Sequence, residues 1–504
     1  MSIRGLAIGS GAAGAAAAFA AGIAAVAGFA PMRWWPLLPL ALALVFRLWL
    51  GTDSPRRAAL IGYAFGCGYF GAGVSWLYVS LHDFGAMPAP LAALATALYC
   101  GYLALFPALV GSLQARLGAS PSLRLLLLVP ALWTLAEWMR GWLLTGFPWL
   151  TAGYSQIDTP LAGFAPLAGV YGVSFATVLL AGLIVLLAAP AATRTARIGA
   201  ATAIVLIFAA GGVLRSLEWT APSGRPLKVA LVQGNIAQSL KFESLRYPQT
   251  LATYRRLALG TDARLIVLPE TALPRFLNTI DARYLGELAS HARRNRGDIV
   301  VGVPIADRAG RYFNSVVTLG ASPAQIYSKS HLVPLGEFVP AEFRWITRVL
   351  RIPLSDFSRG PERPQPLAIA GERVAINICY EDAFGEEIIR ALPQATLLAN
   401  VSNVAWFGDS LAPEQHLEIS RVRAIETGRT MLRATNTGVT AIVEPDGRVA
   451  ARLPQFTEGV LEGVVQGRTG ATPYVRYGNL PVLILAALIV LAVLFVALKR
   501  ARSS

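Results

Sequence analysis

The sequence predicts a polytopic α-helical membrane domain carrying one large α/β domain, and three observations predict it. The 504-residue chain is 55% hydrophobic and only 14% charged, with a mean hydropathy of +0.52; a soluble chain is nearer a quarter charged. Charge is also unevenly placed. Residues 1–215 hold eleven Lys/Arg and four Asp/Glu, whereas 217–478 hold thirty and twenty-five. Finally, eight apolar stretches flank the charged region, each near the roughly 20 residues that a spanning helix needs. The expected organisation is a membrane domain of seven helices over 1–216, a water-exposed domain over 217–478, and an eighth transmembrane helix with a basic tail over 479–504.

The seven leading spans fall at about 6–30, 34–50, 58–81, 88–112, 122–143, 161–189 and 196–214, and the eighth at about 479–498. The first, Ala/Gly-rich after MSIR, competes with a cleaved signal peptide; the seven later spans favour an uncleaved helix. Basic residues in short loops set orientation. Arg4, Arg56, Arg57, Arg116, Arg124, Arg194, Arg197, Lys499, Arg500 and Arg502 occupy one set of loops and ends, and the alternate loops hold only Arg33 and Arg140. Both termini are therefore expected in the cytoplasm and the polar domain outside, in the periplasm of a two-membrane bacterium. The net charge of +15 reads as charge at a lipid surface, with no nucleic-acid footprint.

One span carries charge at depth. WTLAEWMRGW puts Glu137 and Arg140 three residues apart, which reads equally as a pair locking helices together and as a headgroup site. GFPWLTAGYSQID (146–158) and VSWLYVSLHDFG (74–85) read as interfacial segments or aromatic belts.

Beyond residue 226 short β-rich runs recur: LKVALVQGN, RLIVLPE, DIVVGVPI, NSVVTLG, RVAINICYE, ATLLANVSN, MLRATNT and VTAIVEPDG. Helical stretches at 245–258, 281–295, 383–391 and 411–428 lie between several of them. Near-continuous apolar strands alternating with helices argue for an α/β domain with buried sheets. Neither a dinucleotide nor a P-loop glycine motif follows any strand.

Three reactive groups of complementary type lie near the ends of these runs. RLIVLPE ends on Glu270, RVAINICYED presents Cys379 with Tyr380, Glu381 and Asp382 behind it, and YSKSHLVPLGEFVP offers Lys329 and Glu337. Open α/β sheets place active sites at such ends. Cys67 and Cys100 lie in apolar runs, so Cys379 is the single thiol of the polar domain, and no CxxC spacing exists. A thiol near its usual pKa of ~8.5 needs a cation or a base to generate thiolate. A carboxylate in an apolar pocket becomes a competent base, and a lysine beside the thiol can hold an oxyanion together with a backbone N–H. The histidines His82, His291, His331 and His416 show no metal-ligand spacing, and structural roles are expected for all four.

Taken together, Glu270, Lys329 and Cys379 resemble in type and order the nitrilase (carbon–nitrogen hydrolase) superfamily over roughly 227–465, which implies an α-β-β-α sandwich. With the spans included, the chain resembles the apolipoprotein N-acyltransferase family over nearly its whole length. AEWMRGW, GFPWLTAGYSQID, LVQGNIAQSLKF, YSKSHLVPLGEFVP, NICYED, NVSNVAWFGDS and RAIETGR…RATNTG carry that resemblance. It implies Glu270 as general base, Cys379 as nucleophile and Lys329 as oxyanion stabiliser. Supporting or substrate-positioning roles fall to Glu337, Tyr380, Glu381, Phe242 and Trp406. Phe242 stands where the family pattern has Trp, and Val404 where it has Asp.

The implied reaction needs neither cofactor nor metal. It is ping-pong N-acylation of the N-terminal S-diacylglyceryl cysteine of exported apolipoproteins, through a Cys379 thioester. A phospholipid, chiefly phosphatidylethanolamine, is the implied donor in the bacterial inner membrane. The rival reading is a membrane-bound amidase that gives the acyl group to water; a different class is a transporter or scaffold with a degenerate nitrilase fold. An apolar-plus-basic stretch from Pro340 to Phe357 (Phe343, Arg344, Trp345, Arg348, Arg351) is expected to act as a lid or as a surface helix.

Overall fold

A computed structural model describes residues 11–334, 336–339 and 356–503. The expected lid over Pro340–Phe357 lies outside the described residues up to position 355. The chain divides into two compact units. One takes the chain to Tyr78, Pro90–Leu217 and Arg476 onward; the other takes Val79–Ala89 and Glu218–Val475.

The first unit is helical. Among the described residues five helices are long and apolar enough to cross a membrane: Ala89–Arg116, Pro121–Arg140, Pro160–Ala188, Arg194–Arg215 and Leu480–Lys499. Two shorter apolar helices, Ala12–Val26 and Leu37–Leu50, occupy the first two expected spans. The third expected span, 58–81, is not one straight helix. Helix Pro55–Gly73 ends where Val74 leaves helical geometry (φ −127°), and a second helical piece, Leu77–Phe84, follows after a 57° bend. Close helix approach uses small residues, as membrane helices do. A Cβ on Gly22 would sit 2.1 Å from the Phe65 carbonyl oxygen, and one on Gly68 would sit 2.1 Å from that of Phe19.

The charged pair resolves in favour of structure. Glu137 and Arg140 are both buried. Glu137 accepts from the Trp133 indole N–H (3.0 Å) and the Ala152 N–H (2.8 Å). Arg140 donates to the carbonyls of Phe147 (2.5 Å) and Trp149 (2.6 Å) and to Thr151 Oγ1 (3.4 Å). Backbone away from regular helix is tolerated at membrane depth only when its polar groups find partners, and these two side chains supply them. The 146–158 segment accordingly forms buried 3-10 turns, with Trp149 and Tyr154 in the interior instead of in an aromatic belt.

The second unit is an α-β-β-α sandwich of two six-stranded sheets. In the first, β12 (Gly459–Gly470), β1 (Thr220–Gln233), β2 (Leu265–Val267), β3 (Asp298–Ala306), β4 (Tyr312–Gly320) and β5 (Ile326–Ser328) lie side by side. In the second the order is β11 (Val449–Arg452), β10 (Ala441–Val443), β9 (Met431–Thr435), β8 (Leu397–Ser402), β7 (Glu372–Ile378) and β6 (Leu367–Ile369). The central strands β1–β2–β3 and β7–β8–β9 run parallel.

Strand alternation explains the layers. Val229, Leu231, Leu265 and Val267 share one core with Val374, Ile376, Leu397 and Leu432 between the sheets. Ala230, Val232, Ile266 and Val301 face Tyr254, Leu257, Leu288 and Ala292 on helices Tyr247–Leu259 and Ala282–Arg294. On the far side, Leu398, Met431 and Ala441 face Leu417 and Ala424 of helix Ala412–Thr427. Both faces of each sheet are covered, which is why the strands read as continuous apolar runs.

Candidate active site

Glu270 and Cys379 follow the carboxyl ends of parallel strands, and Lys329 follows an edge strand paired antiparallel with β4. Glu270 follows β2 by three residues, and Cys379 follows β7 directly. Lys329 is the residue after β5. Gly302 of β3 permits the β2 end to pass close by, since a Cβ there would lie 2.2 Å from the Pro269 carbonyl oxygen.

Glu270, Lys329 and Glu337 form one buried ionic cluster. Lys329 Nζ lies 2.8 Å from Glu337 Oε2 and 3.8 Å from Glu270 Oε1. Burial alone would lower the lysine's pKa, but the Glu337 and Glu270 carboxylates outweigh it and hold the pKa above its ordinary value. Lys329 is therefore a permanent cation. The Asn314 amide Nδ2 donates to Glu270 Oε1 and to Glu337 Oε1, both at 2.7 Å. The Asn403 N–H donates to Glu270 Oε2 (2.7 Å), and the Val333 N–H to Glu337 Oε2 (2.9 Å). Lys241 Nζ donates to the Glu270 backbone carbonyl at 3.1 Å. The carboxylates are thus held from both sheets.

Cys379 adopts φ +53°, a strained conformation for a residue with a Cβ. Its carbonyl is gripped from behind: Asn400 Nδ2 donates to it at 3.0 Å, and His416 Nε2 lies 3.3 Å away. His416 Nε2 is also 2.7 Å from Asp382 Oδ1, while Asp382 Oδ2 accepts from Ser420 Oγ (2.5 Å) and Arg433 Nη1 (3.2 Å). Burial opposes ionisation of Asp382, yet His416, Arg433 and the Ser420 hydroxyl hold its carboxyl below the usual range. This buried network over-determines the strained turn. Burial and the Glu270 carboxylate push the thiol well above its ordinary pKa, outweighing the pull of Lys329. Burial thus favours the neutral thiol over a lysine-stabilised thiolate at rest.

The supporting residues divide by what they touch. Glu381 accepts from Tyr327 OH (2.7 Å), the Ile378 N–H (2.7 Å), the Ser330 N–H (2.7 Å) and hydroxyl (3.0 Å), and the His331 N–H (3.1 Å). It ties the residue before the thiol to the two residues after Lys329. Tyr380 packs edge-on against Phe384, with ring centroids 5.0 Å apart. Phe242 is exposed beside buried Lys241. Trp406 is half-buried, its carbonyl accepting from Ser80 Oγ (2.7 Å) and its ring meeting Phe84 edge-on. Val404 is buried so close to Gly438 that a Cβ there would lie 2.1 Å from its Cγ2; it packs rather than binds. Among the described residues no cluster of His, Cys, Asp and Glu is arranged to hold a metal ion.

Sequence reading missed Asn314, Asn403, Lys241, Asp382, His416 and Arg433 as members of the site. Asn403, Lys241 and Asp382 do lie inside the quoted motifs. Arg433 likewise opens the quoted RATNTG, whereas Asn314 carries no signal of its own, since an amide in a strand is unremarkable until its partner is seen.

A half-buried Cys with buried Glu and Lys at the strand ends of a four-layer α-β-β-α sandwich defines a carbon–nitrogen hydrolase-type domain. Residues 228–474 match the family model described as "Carbon-nitrogen hydrolase", and 21–183 match "Apolipoprotein N-acyltransferase N-terminal domain". The chain is 50% identical to the apolipoprotein N-acyltransferase of Nitrosomonas europaea, over 94% of this chain and 95% of that one. It is 48% identical to the one of that name from Chromobacterium violaceum (92% and 90% covered) and 46% identical to that of Ralstonia nicotianae (94% and 91%). The chain belongs to the apolipoprotein N-acyltransferase family, and it is an acyltransferase of lipoprotein biosynthesis.

Proposed function

We propose that the enzyme transfers an acyl chain from a phospholipid, chiefly phosphatidylethanolamine, to the N-terminal S-diacylglyceryl cysteine of apolipoproteins, with Cys379 as nucleophile. The observation that carries this reading is the half-buried thiol acted on by one fixed cation and one hydrogen-bonded carboxylate. In the first half-reaction Cys379 Sγ attacks the donor ester carbonyl while Glu270 takes the thiol proton. Lys329 and a backbone N–H following the nucleophile hold the oxyanion. The ester C–O bond then breaks, and Glu270 returns the proton to the departing lysophospholipid hydroxyl. In the second, the neutral α-amine attacks the thioester, Glu270 takes a proton from its nitrogen, and the leaving Cys379 sulfur receives it.

Glu337 keeps Lys329 charged, Glu381 and Tyr380 fix the loops behind it, and Phe242 and Trp406 flank the acyl chain. Eight spans, with the breaks seen at the third, keep both acylated substrates in lipid. The basic loops support cytoplasmic termini and a periplasmic catalytic domain, with the membrane domain over 1–216, the catalytic domain over 217–478 and the closing helix over 479–504.

Intact-protein mass spectrometry of the full chain with phosphatidylethanolamine tests the chemistry. The expected result is one added acyl group on the wild type, discharged by a diacylglyceryl-cysteine peptide, and no adduct on Cys379→Ala. No adduct on the wild type overturns the reading. Discharge to free fatty acid at the same rate without peptide makes the enzyme an amidase-like hydrolase instead.

A further inference from the structure

Glu270 is held by a peptide that is itself held. Its Oε2 accepts from the Asn403 N–H at 2.7 Å. Asn403 stands outside the strand ladder, which ends at Ser402, and has irregular backbone (φ −122°, ψ 79°). Its side chain supplies the anchorage instead. Asn403 Nδ2 donates to Gln238 Oε1 (2.8 Å), and Asn403 Oδ1 accepts from Asn436 Nδ2 (3.2 Å). Asn436 is fixed in turn. Its Nδ2 also donates to the Ile236 carbonyl (2.7 Å), and its Oδ1 accepts from the Ile236 N–H (2.9 Å) and the Tyr254 hydroxyl (3.2 Å). All three amide side chains are buried, so a partner removed from this chain leaves an unsatisfied polar group behind.

Ile236 and Gln238 belong to the loop between β1 and helix Tyr247–Leu259. The same loop also reaches the main chain of Glu270, because Lys241 Nζ donates to its carbonyl at 3.1 Å. One loop therefore grips Glu270 twice, at its backbone directly and at its carboxylate through Asn403. We propose that Gln238 is a positioning residue of the base: through Asn403 it aims the Glu270 carboxylate in both half-reactions. Gln238 transfers no proton itself, since its amide is a neutral donor and acceptor. The inference rests on the acyl-transfer reading, in which Glu270 is the base. A different outcome would mark a residue that only shapes the loop presenting exposed Phe242. Its loss would weaken phospholipid binding and leave the chemistry intact.

The test uses the full-length enzyme with phosphatidylethanolamine, as wild type, Gln238→Met, Glu270→Gln and the double variant, with rates taken per folded molecule. Methionine keeps the length of the side chain and removes the acceptor for Asn403 Nδ2. Thioester formation, and its discharge by a diacylglyceryl-cysteine peptide, are each followed by intact mass in single turnovers. Gln238→Met is expected to slow both steps roughly 10- to 100-fold, the cost of a displaced reacting group, with the half-saturating phospholipid concentration unchanged. In the Glu270→Gln background the same substitution should cost less than about twofold, because two residues that act through one group are not additive. Asn403→Ala keeps the N–H but loses both amide anchors, and it should slow both steps as Gln238→Met does; it carries the test alone should Gln238→Met not fold. Equal losses in both backgrounds overturn the inference. So do wild-type rates in either single-site variant of the chain, or a loss confined to thioester formation with a raised half-saturating phospholipid concentration. Wild-type rates in Glu270→Gln, or no thioester on the wild type, sink the acyl-transfer reading instead.

Discussion

Two regions of this molecule bury charge, and they use it in opposite ways. Around Glu137 and Arg140 the ionic groups are spent on fixed backbone: indole, amide and carbonyl groups of the 133–152 stretch take their hydrogen bonds. Around Glu270 and Lys329 the ionic groups are held by Asn314, Asn403 and Glu337, and they also act electrostatically on a thiol that must change its protonation state. Burial of charge is thus no mark of a site by itself. The difference lies in whether the partners are indole and backbone groups of fixed protonation, or include a thiol.

Three substitutions sharpen that contrast, in decreasing effect on transfer rate. Glu270→Gln keeps the shape of the side chain but cannot accept the thiol proton, so thioester formation should fall by about 10²–10⁴-fold in a stopped phospholipid assay. A loss under tenfold would remove Glu270 as the base. Asn314→Ala strips one donor from two carboxylates at once. Hydrogen bonds to charged groups contribute roughly 1.5–3 kcal/mol, so the rate should fall roughly 10–100-fold, with more of the loss in kcat than in KM. Arg140→Met removes the guanidinium donors from the Phe147 and Trp149 carbonyls and from Thr151 Oγ1 and leaves buried Glu137 without its neighbouring cation, and unfolding in detergent should show a loss of roughly 3 kcal/mol or more. The rate per folded molecule should not move; a raised KM for phospholipid would restore a headgroup-binding role to that arginine.

Much of the site was legible because its chemistry is local. Glu270 and Cys379 announce themselves as reactive types ending apolar runs, and Lys329 as a lysine in a short polar turn. The protonation pattern was not legible. A lysine near a thiol suggests thiolate, but desolvation and a neighbouring carboxylate keep Cys379 protonated, and only three-dimensional distance sets their balance. Helix Ala412–Thr427 shows the same limit. APEQHLEISRVRAIET is half polar and was legible only as a helix, yet all of it except Glu414 is buried, carrying His416 and Ser420 to Asp382.

The sequence alone determined the apolar stretches, the change of period after residue 226, and the identity and order of Glu270, Lys329 and Cys379, because hydropathy and side-chain chemistry are properties of short segments. The tertiary structure decided which charges meet. It placed Glu137 and Arg140 on backbone, broke the third span after Gly73, and clamped Lys329 between Glu270 and Glu337. Those outcomes depend on burial and on distances between residues far apart in the chain, and no local pattern encodes them.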